Sequence, residues 1–355
     1  MTTGQSRLII AVIAIAVVVL LVIGTRRYTG RSGPREEGIS TSRPGTQPPP
    51  LPPATSRRAA RRPPAPATVS RPAPRVPEQA DRPVGEAERA AATAKLNQGL
   101  KVFGDDDLLA ARAALADALN TGGLSDPQAE TARAKLAELA QHTLFGRRVI
   151  EGDPCTFWYK CQPGDVLGRV ERKLELRVPA QLILLVNGIP DAAKIRAGQT
   201  LKMIRGPFHA LVSKGRFFLD VYLEEPKTQR MIFVRRFRVG TGKDGSTPLG
   251  RWRVPVGRKM MHAPWTPPLS SDLPQQKILW GQPGYPLGKK GYWIALEGIE
   301  GNPHTAEDGY GIHGTNDRSS IGKAYSMGCI RLTDEDIELV FAMLYEKWST
   351  VTVTP

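Results

Sequence analysis

Hydrophobic patterning divides the chain into successive stretches of different character. Leu8 to Gly24, LIIAVIAIAVVVLLVIG, is apolar at every position. A run of this length, near the short end of the ~17–25 residues that cross a bilayer as a helix, predicts a membrane anchor within residues 1–30. Residues 31–84 show no period. They carry fourteen prolines and ten arginines, too little apolar surface to fold, and predict a disordered linker of extended, semi-rigid character. In residues 85–147 apolar positions return at helical spacing. AERAAATAKLNQGLKVF, DDLLAARAALADALN and DPQAETARAKLAELAQHTLF read as three helices separated by glycine and aspartate breaks. Asp105–Asp107 precede the second, where a carboxylate can accept from free backbone N–H groups. No spaced oxygen ligands or closing glutamate follow, which argues against a metal loop there.

Residues 153–206 alternate differently. A short aromatic strand leads into Pro163-Gly164-Asp165, a turn whose aspartate is placed to cap a helix from near Val166. A second helix is expected around residues 179–186, stopped by Asn187-Gly188, and GQTLKMI closes the segment as a strand. From 208 onward β-branched and aromatic residues alternate: FHALVSKGRFFLDVYLEE, MIFVRRFRVGTG and TPLGRWRVP read as strands of a hairpin-rich sheet. Residues 255–291, rich in proline, glycine and aromatics, form a long excursion between strands. Such loops are commonly functional covers, and Trp265, Trp280 and Tyr285 suit a lid over a groove. The expected fold is therefore multidomain, with an anchor, a linker, an α-helical spacer, a small βααβ unit and a mainly-β domain over 208–354.

Charge refines this picture. The net +15 is uneven: +9 lies in residues 1–84, −1 in 85–150, +3 in 151–205 and +4 in 206–355. A nucleic-acid reader would concentrate positive charge on a folded module, so no nucleic-acid partner is expected. Val22-Ile23-Gly24 is a poor signal-peptidase site, which favours an uncleaved anchor. Arg26, Arg27, Arg31 and Arg35 follow the apolar run, against Arg7 before it. By that bias alone the C-terminal bulk would stay in the cytoplasm; the chemistry downstream sets the opposite expectation.

Three cysteines bear on that chemistry. Cys155 and Cys161 flank an aromatic strand, and either a disulfide in an oxidising compartment or two free thiols fits them. Two further ligands for zinc are not in evidence, and no metal is expected. Cys329 stands in HGTNDRSSIGKAYSMGCIRL, residues 313–332, sixteen residues after His313. A nucleophilic thiolate needs a nearby base or positive field. His313 is the nearest base, and Gly314 after it exposes a main-chain carbonyl. Gly328 permits a tight turn, so that its N–H and that of Cys329 can face an oxyanion. Arg331 offers a fork for a carboxylate. GTGKDGST lacks the glycine spacing of a phosphate loop.

Three stretches also resemble known families. The helical region, with about one and a half repeats visible, is similar to a tetratricopeptide-like hairpin, which implies a spacer or a protein-interaction module. GDVL, LILLVNGI and IRAGQTLKM resemble a lysin motif (LysM), which implies binding of the glycan strands of peptidoglycan. TGKDGSTPLGRWRV, IHGTNDRSSIGKAYSMGCIRL and TDEDIELV, across roughly 208–354, resemble the L,D-transpeptidase catalytic domain of bacterial cell-wall enzymes. That resemblance implies a mostly β fold with Cys329 as nucleophile at the base of a groove and His313 as base. The Gly314 carbonyl would orient the imidazole, and Ser326, Gly328 and Arg331 would shape the site; no cofactor is needed. Many members have a second histidine where this chain has Met327, so His313 must carry the proton transfer alone. His142, His209, His262 and His304 are expected to be structural or exposed, with His262 in the lid the one worth testing.

The implied reaction is attack of the Cys329 thiolate on the third-residue carbonyl of a tetrapeptide stem. D-alanine leaves, and an acceptor amine resolves the acyl-enzyme into a 3→3 cross-link. Two alternatives stand beside it: an L,D-carboxypeptidase using water, and a dormant wall-binding scaffold. The implied location is the bacterial envelope, anchored in the inner membrane with the C-terminal domains periplasmic. There the linker arginines either touch anionic lipid or an acidic wall polymer, or merely keep the linker soluble.

Overall fold

The protein is described by a computed structural model covering residues 84–267 and 273–355. The expected anchor, and the linker up to residue 83, lie outside the described residues. Among the described residues no helix is long and apolar enough to cross a membrane.

Three helices open the described chain: α1 (Glu86–Gly104), α2 (Leu108–Asn120) and α3 (Asp126–Ala140), the last running into a π-helical turn at Gln141–Phe145. Asp107 caps α2, its Oδ1 accepting from the Ala110 N–H at 3.1 Å, as the aspartate run predicts. Gly99 lets α1 approach α2 closely; a Cβ there would lie 2.7 Å from Leu115 Cγ. Arg236 ties these helices to the main sheet. Its guanidinium pairs with Asp220 through two bonds of 2.6 and 2.7 Å and with Glu130 of α3 at 2.8 Å.

The next unit runs strand, helix, helix, strand: β1 (Thr156–Lys160), α4 (Leu167–Lys173), α5 (Ala180–Val186) and β2 (Thr200–Ile204), with β1 and β2 antiparallel. Asn187, directly after α5, clamps β2 by accepting from the Lys202 N–H and donating to the Lys202 carbonyl, both at 2.8 Å. Asp165 does not cap α4. It accepts instead from the Gln162 N–H and the Tyr159 hydroxyl, both at 2.7 Å, and so closes the turn itself.

Of the two readings open for Cys155 and Cys161, the structure has the free thiols. Cys155 and Cys161 stand at opposite ends of β1, which pairs with β2 along its whole length. Extended backbone at ~3.3 Å per residue sets them about 20 Å apart, whereas a disulfide needs Cα atoms within about 7 Å. Both are free and buried. Cys155 packs beneath Arg112, whose guanidinium forms a buried bidentate pair with Asp153 at 2.6 and 3.2 Å. Lys202 is buried as well, and its Nζ donates to the carbonyls of Thr143, Gly146 and Arg148 at 2.7–2.8 Å. These are acceptors where the helical region ends, so Lys202 joins the βααβ unit to the helices alongside the Arg112–Asp153 pair.

The remaining strands build the mainly-β domain. A six-stranded sheet has the order β10 (Glu297–Ile299), β7 (Gly250–Arg253), β14 (Thr350–Thr354), β3 (Phe208–Ser213), β4 (Phe218–Glu224) and β5 (Met231–Arg238). A second, four-stranded sheet has the order β13 (Ile330–Leu332), β11 (Gly311–Gly314), β9 (Trp293–Ala295) and β8 (Lys259–Met260). β6 (Thr241–Gly242) pairs with β12 (Ala324–Ser326). Helix α6 (Asp334–Met343) follows β13, capped by Thr333, whose Oγ1 accepts from the Asp336 N–H at 3.2 Å. Trp252, Phe208 and Phe233 are among the largest side chains buried in this domain.

Candidate active site

The fifteen residues between His313 and Cys329 are closed by parallel pairing. β11 and β13 register Ile312 with Ile330 and His313 with Arg331. Successive strand residues point to opposite faces. Ile312 and Ile330 therefore enter the core, where both are buried, while His313 and Arg331 share the other face. Cys329 directly precedes β13, one step before Ile330. His313, Cys329 and Arg331 all line one cleft of about 100 Å³, together with Asp308, Tyr310 and Met327.

His313 is 6 % exposed, and its Nδ1 lies 2.6 Å from the Gly314 carbonyl. A carbonyl can only accept, so Nδ1 carries the proton and Nε2 holds the lone pair. Trp293, its antiparallel partner on β9, stacks on the imidazole with ring centroids 5.7 Å apart at 20°. Burial pushes the His313 pKa down to about 4, opposed by the Gly314 hydrogen bond and aided by the positive charge of Arg331. Cys329 is half-buried, with its Sγ 3.5 Å from the Gly309 carbonyl. Burial pushes its thiol up to about 11, against the opposing effects of the Gly311 N–H and Arg331. Resting sulfur and imidazole are thus both neutral across the physiological range.

The loop before Cys329 is fixed by hydroxyls. Buried Thr247 accepts from the Gly242 N–H at 2.8 Å and donates to the Gly328 carbonyl at 2.9 Å. Ser326 donates to the Cys329 carbonyl at 2.6 Å and accepts from the Gly328 N–H at 3.2 Å. The Gly328 N–H, expected to face an oxyanion, is therefore engaged within its own loop. Gly328 has a φ of 127°, and a Cβ there would lie 2.8 Å from Tyr310 Cε1 and 3.0 Å from the Ser246 carbonyl oxygen. Arg331 lies within reach of Tyr325, its Cζ 5.9 Å from the ring centroid. Its Nε is buried without a hydrogen-bond partner, while the residue as a whole lines the cleft.

The lid candidates divide. Trp265 lines the cleft. Trp280 stacks on His262 with centroids 3.7 Å apart and donates to the Lys289 carbonyl at 2.8 Å. Tyr285 is buried with Ala263 and Leu287, and its hydroxyl donates to the Ala263 carbonyl. Neither Trp280 nor Tyr285 is among the cleft-lining residues.

His209 is buried between Thr350 and Glu224, and His142 is exposed on the π-helical turn. His304 pairs with Asp308 at 3.0 Å and stacks on Trp252. Sequence reasoning missed Thr247, Tyr310 and Trp293. Each acts through a partner far away in sequence, and no motif spacing carries that information. Among the described residues no cluster of His, Cys, Asp or Glu could hold a metal ion.

Residues 208–353 match the family model YkuD, the L,D-transpeptidase catalytic domain. A candidate L,D-transpeptidase of Bacillus subtilis, YkuD, is 39% identical over 203 residues, covering 55% of this chain and 97% of that protein. Its namesake in Bacillus licheniformis is 29% identical over 204 residues, covering 56% and 98%. Among solved structures, L,D-transpeptidase 3 from Mycobacterium tuberculosis in complex with a faropenem-derived adduct overlaps at a TM-score of 0.31. It is 13% identical, covering 46% of this chain and 76% of that one, a likeness too slight to carry an argument.

Proposed function

The chain belongs to the L,D-transpeptidase family, and from that premise we propose that it cross-links peptidoglycan stems through a Cys329 thioester. The observation that carries the reading is the shared face of β11 and β13, which brings Cys329, His313 and Arg331 into one cleft. Because sulfur and imidazole both rest neutral, the proton moves as the bond forms. The Cys329 sulfur attacks the carbonyl carbon of the third residue while His313 Nε2 takes the thiol proton. That proton passes to the departing amine of D-alanine, and a thioester remains. An acceptor amine then attacks the thioester and gives its proton to His313; the sulfur leaves and recovers it. With the Gly328 N–H engaged, the Cys329 N–H is the main-chain donor left for the oxyanion. Arg331, which lines the cleft, binds a substrate carboxylate.

The other regions fit the same task. The βααβ unit, read as a LysM, holds glycan strands. The apolar run, read as an inner-membrane anchor, and its linker keep the periplasmic domains beside the wall. Tethering raises the effective substrate concentration without new active-site contacts. The helical region serves as a spacer or a protein-docking module.

Mass spectrometry of muropeptides incubated with wild type and with Cys329→Ala tests the proposal. Wild type is expected to yield 3→3 dimers and the variant none. Indistinguishable products would overturn the enzyme reading in favour of a dormant scaffold. Tripeptides without dimers would assign water as the acceptor and make the protein an L,D-carboxypeptidase. The proposed topology predicts that the C-terminal domains are cut by external protease in spheroplasts; protection there would remove access to the substrate.

A further inference from the structure

A second cavity lies where the βααβ unit meets the mainly-β domain. It holds about 440 Å³ and shares no lining residue with the catalytic cleft; small-ligand sites are commonly about 300–1,000 Å³. Arg172, Glu175 and Arg177 reach it from the end of α4 and the loop beyond. Lys347 and Trp348 reach it from the turn before β14, and Val256 from the turn after β7.

The charges around this cavity are unequal in availability. Glu171 is 5 % exposed and hydrogen-bonded to Tyr345, and Glu346 accepts from the Lys259 N–H at 3.0 Å. Glu175 is the exposed carboxylate that remains. Against it stand Arg172, Arg177 and Lys347; Arg172 acts electrostatically on Glu171, and among the described residues Arg177 and Lys347 have no carboxylate within ion-pair distance. Arg177 Cζ lies 4.5 Å and Lys347 Nζ 5.1 Å from the centroid of the Trp348 ring. A guanidinium held on a π face keeps its N–H fork available. Trp348 is nonetheless 37 % and Val256 70 % exposed, so apolar surface faces water beside Arg177 and Lys347.

The backbone adds an independent sign. Glu175, Arg177 and Lys347 have φ values of 50°, 54° and 70°, the left-handed region that costs a non-glycine residue on the order of 1–3 kcal/mol. All three line this one cavity. Strain of this kind concentrates at ligand sites, where it places side chains that folding alone would not hold there.

We propose that this cavity is a second saccharide site, which takes a sugar ring against Trp348 and Val256 and that sugar's anionic group on Arg177, Arg172 and Lys347. The choice of a wall sugar rests on the function proposed above; the site itself does not. The anion is a carboxylate, as on a muramic acid, or a phosphate, as on a phosphorylated sugar, and both present acceptor oxygens to the same fork. A ligand so held touches both units and pins one against the other.

Calorimetry on the full chain tests this with three probes. They are N-acetylglucosaminyl-N-acetylmuramic acid with its lactyl carboxylate free, neutral chitobiose, and N-acetylglucosamine 6-phosphate. The muramic disaccharide is expected to bind at least about tenfold more tightly than chitobiose. Arg177→Gln and Trp348→Ala should each weaken it by about tenfold or more, the scale of one charge-assisted hydrogen bond. Trp348→Phe, which keeps an aromatic ring, should retain binding and serves as the folding control. Tighter binding of the phosphate probe with the same variant sensitivity would make phosphate the preferred anion.

Chitobiose binding at the βααβ unit and thioester formation at Cys329 with a free tetrapeptide should not change in Arg177→Gln. The proposal is overturned if both variants bind the anionic disaccharide as wild type does, or if Arg177→Gln weakens neutral and anionic probes alike. Failure of Cys329 to acylate in wild type would sink the catalytic reading while leaving the calorimetric result intact.

Discussion

The neutral resting state of Cys329 and His313 can be measured directly. The perturbation is pH, from 5 to 10, and the probe is iodoacetamide, with the adduct assigned to Cys329 by peptide mass spectrometry. With the thiol pushed up to about 11, about one molecule in ten thousand carries a thiolate at pH 7, against roughly 3 % for an unperturbed cysteine of pKa ~8.5. That is about 300-fold fewer attacking species. A more basic thiolate is more nucleophilic, and a Brønsted slope of ~0.4–0.5 over about 2.5 units returns about 10–18-fold. Cys329 should therefore alkylate about 20–30-fold more slowly than an unhindered thiol at pH 7. Its logarithmic rate should rise with pH at unit slope, without a plateau before pH 10. A preformed thiolate–imidazolium pair would behave otherwise, with a fast rate already flat from about pH 5. Such a plateau would refute the argument, since it would mean that burial does not govern the pair. His313→Ala separates the roles further. It should lower acylation by a stem peptide about 10²–10⁴-fold, the usual range for a lost general base, yet leave alkylation at pH 9.5 within about threefold.

Gly328→Ala should cut turnover at least about 100-fold, because a Cβ against Tyr310 and the Ser246 carbonyl displaces Cys329 by a fraction of an ångström to about 1 Å. Steady-state kinetics on a variant with a retained thermal midpoint checks this, and wild-type turnover would disprove the close fit. Thr247→Val strands the Gly242 N–H and the Gly328 carbonyl, and should cost about 1–3 kcal/mol in urea unfolding together with lost activity. A stability cost with activity intact would show that the hydroxyl does not position the Cys329 loop. Titration of the unreduced, denatured protein with a thiol reagent should find all three cysteines free; one thiol per chain would contradict the β1 geometry.

The three helices, the βααβ order and the His313–Cys329 pair were legible in the sequence because each is announced locally, by a period, a turn or a motif. What was not legible depends on distant partners. Asp165 looked like a helix cap from its place before α4, but Tyr159 and the Gln162 N–H claim its carboxylate. Cys155 and Cys161 looked bridgeable by separation, until the strand between them fixed its extended length. The Gly328 N–H looked free for an oxyanion because nothing in MGC reveals that Ser326 turns back to accept it. Trp280 and Tyr285 shared the aromatic character of Trp265, yet Trp265 alone of the three reaches the cleft, because His262 and Ala263 hold the other two.

Lys202 carries a mechanical consequence. A pull applied near residue 84 enters through α1 and reaches the strands through the three carbonyl bonds of Lys202, the Arg112–Asp153 pair, the Arg236 bridge, the Arg230–Asp117 and Arg133–Asp220 pairs and the bond from Asn120 to the Met231 carbonyl. Those routes end at Asp153 before β1, at β2, and at β4 and β5 with the turn between them, not at β11 or β13. Load entering from the N-terminal side is thus borne by parts that do no chemistry, and the reactive strands can keep their spacing under it.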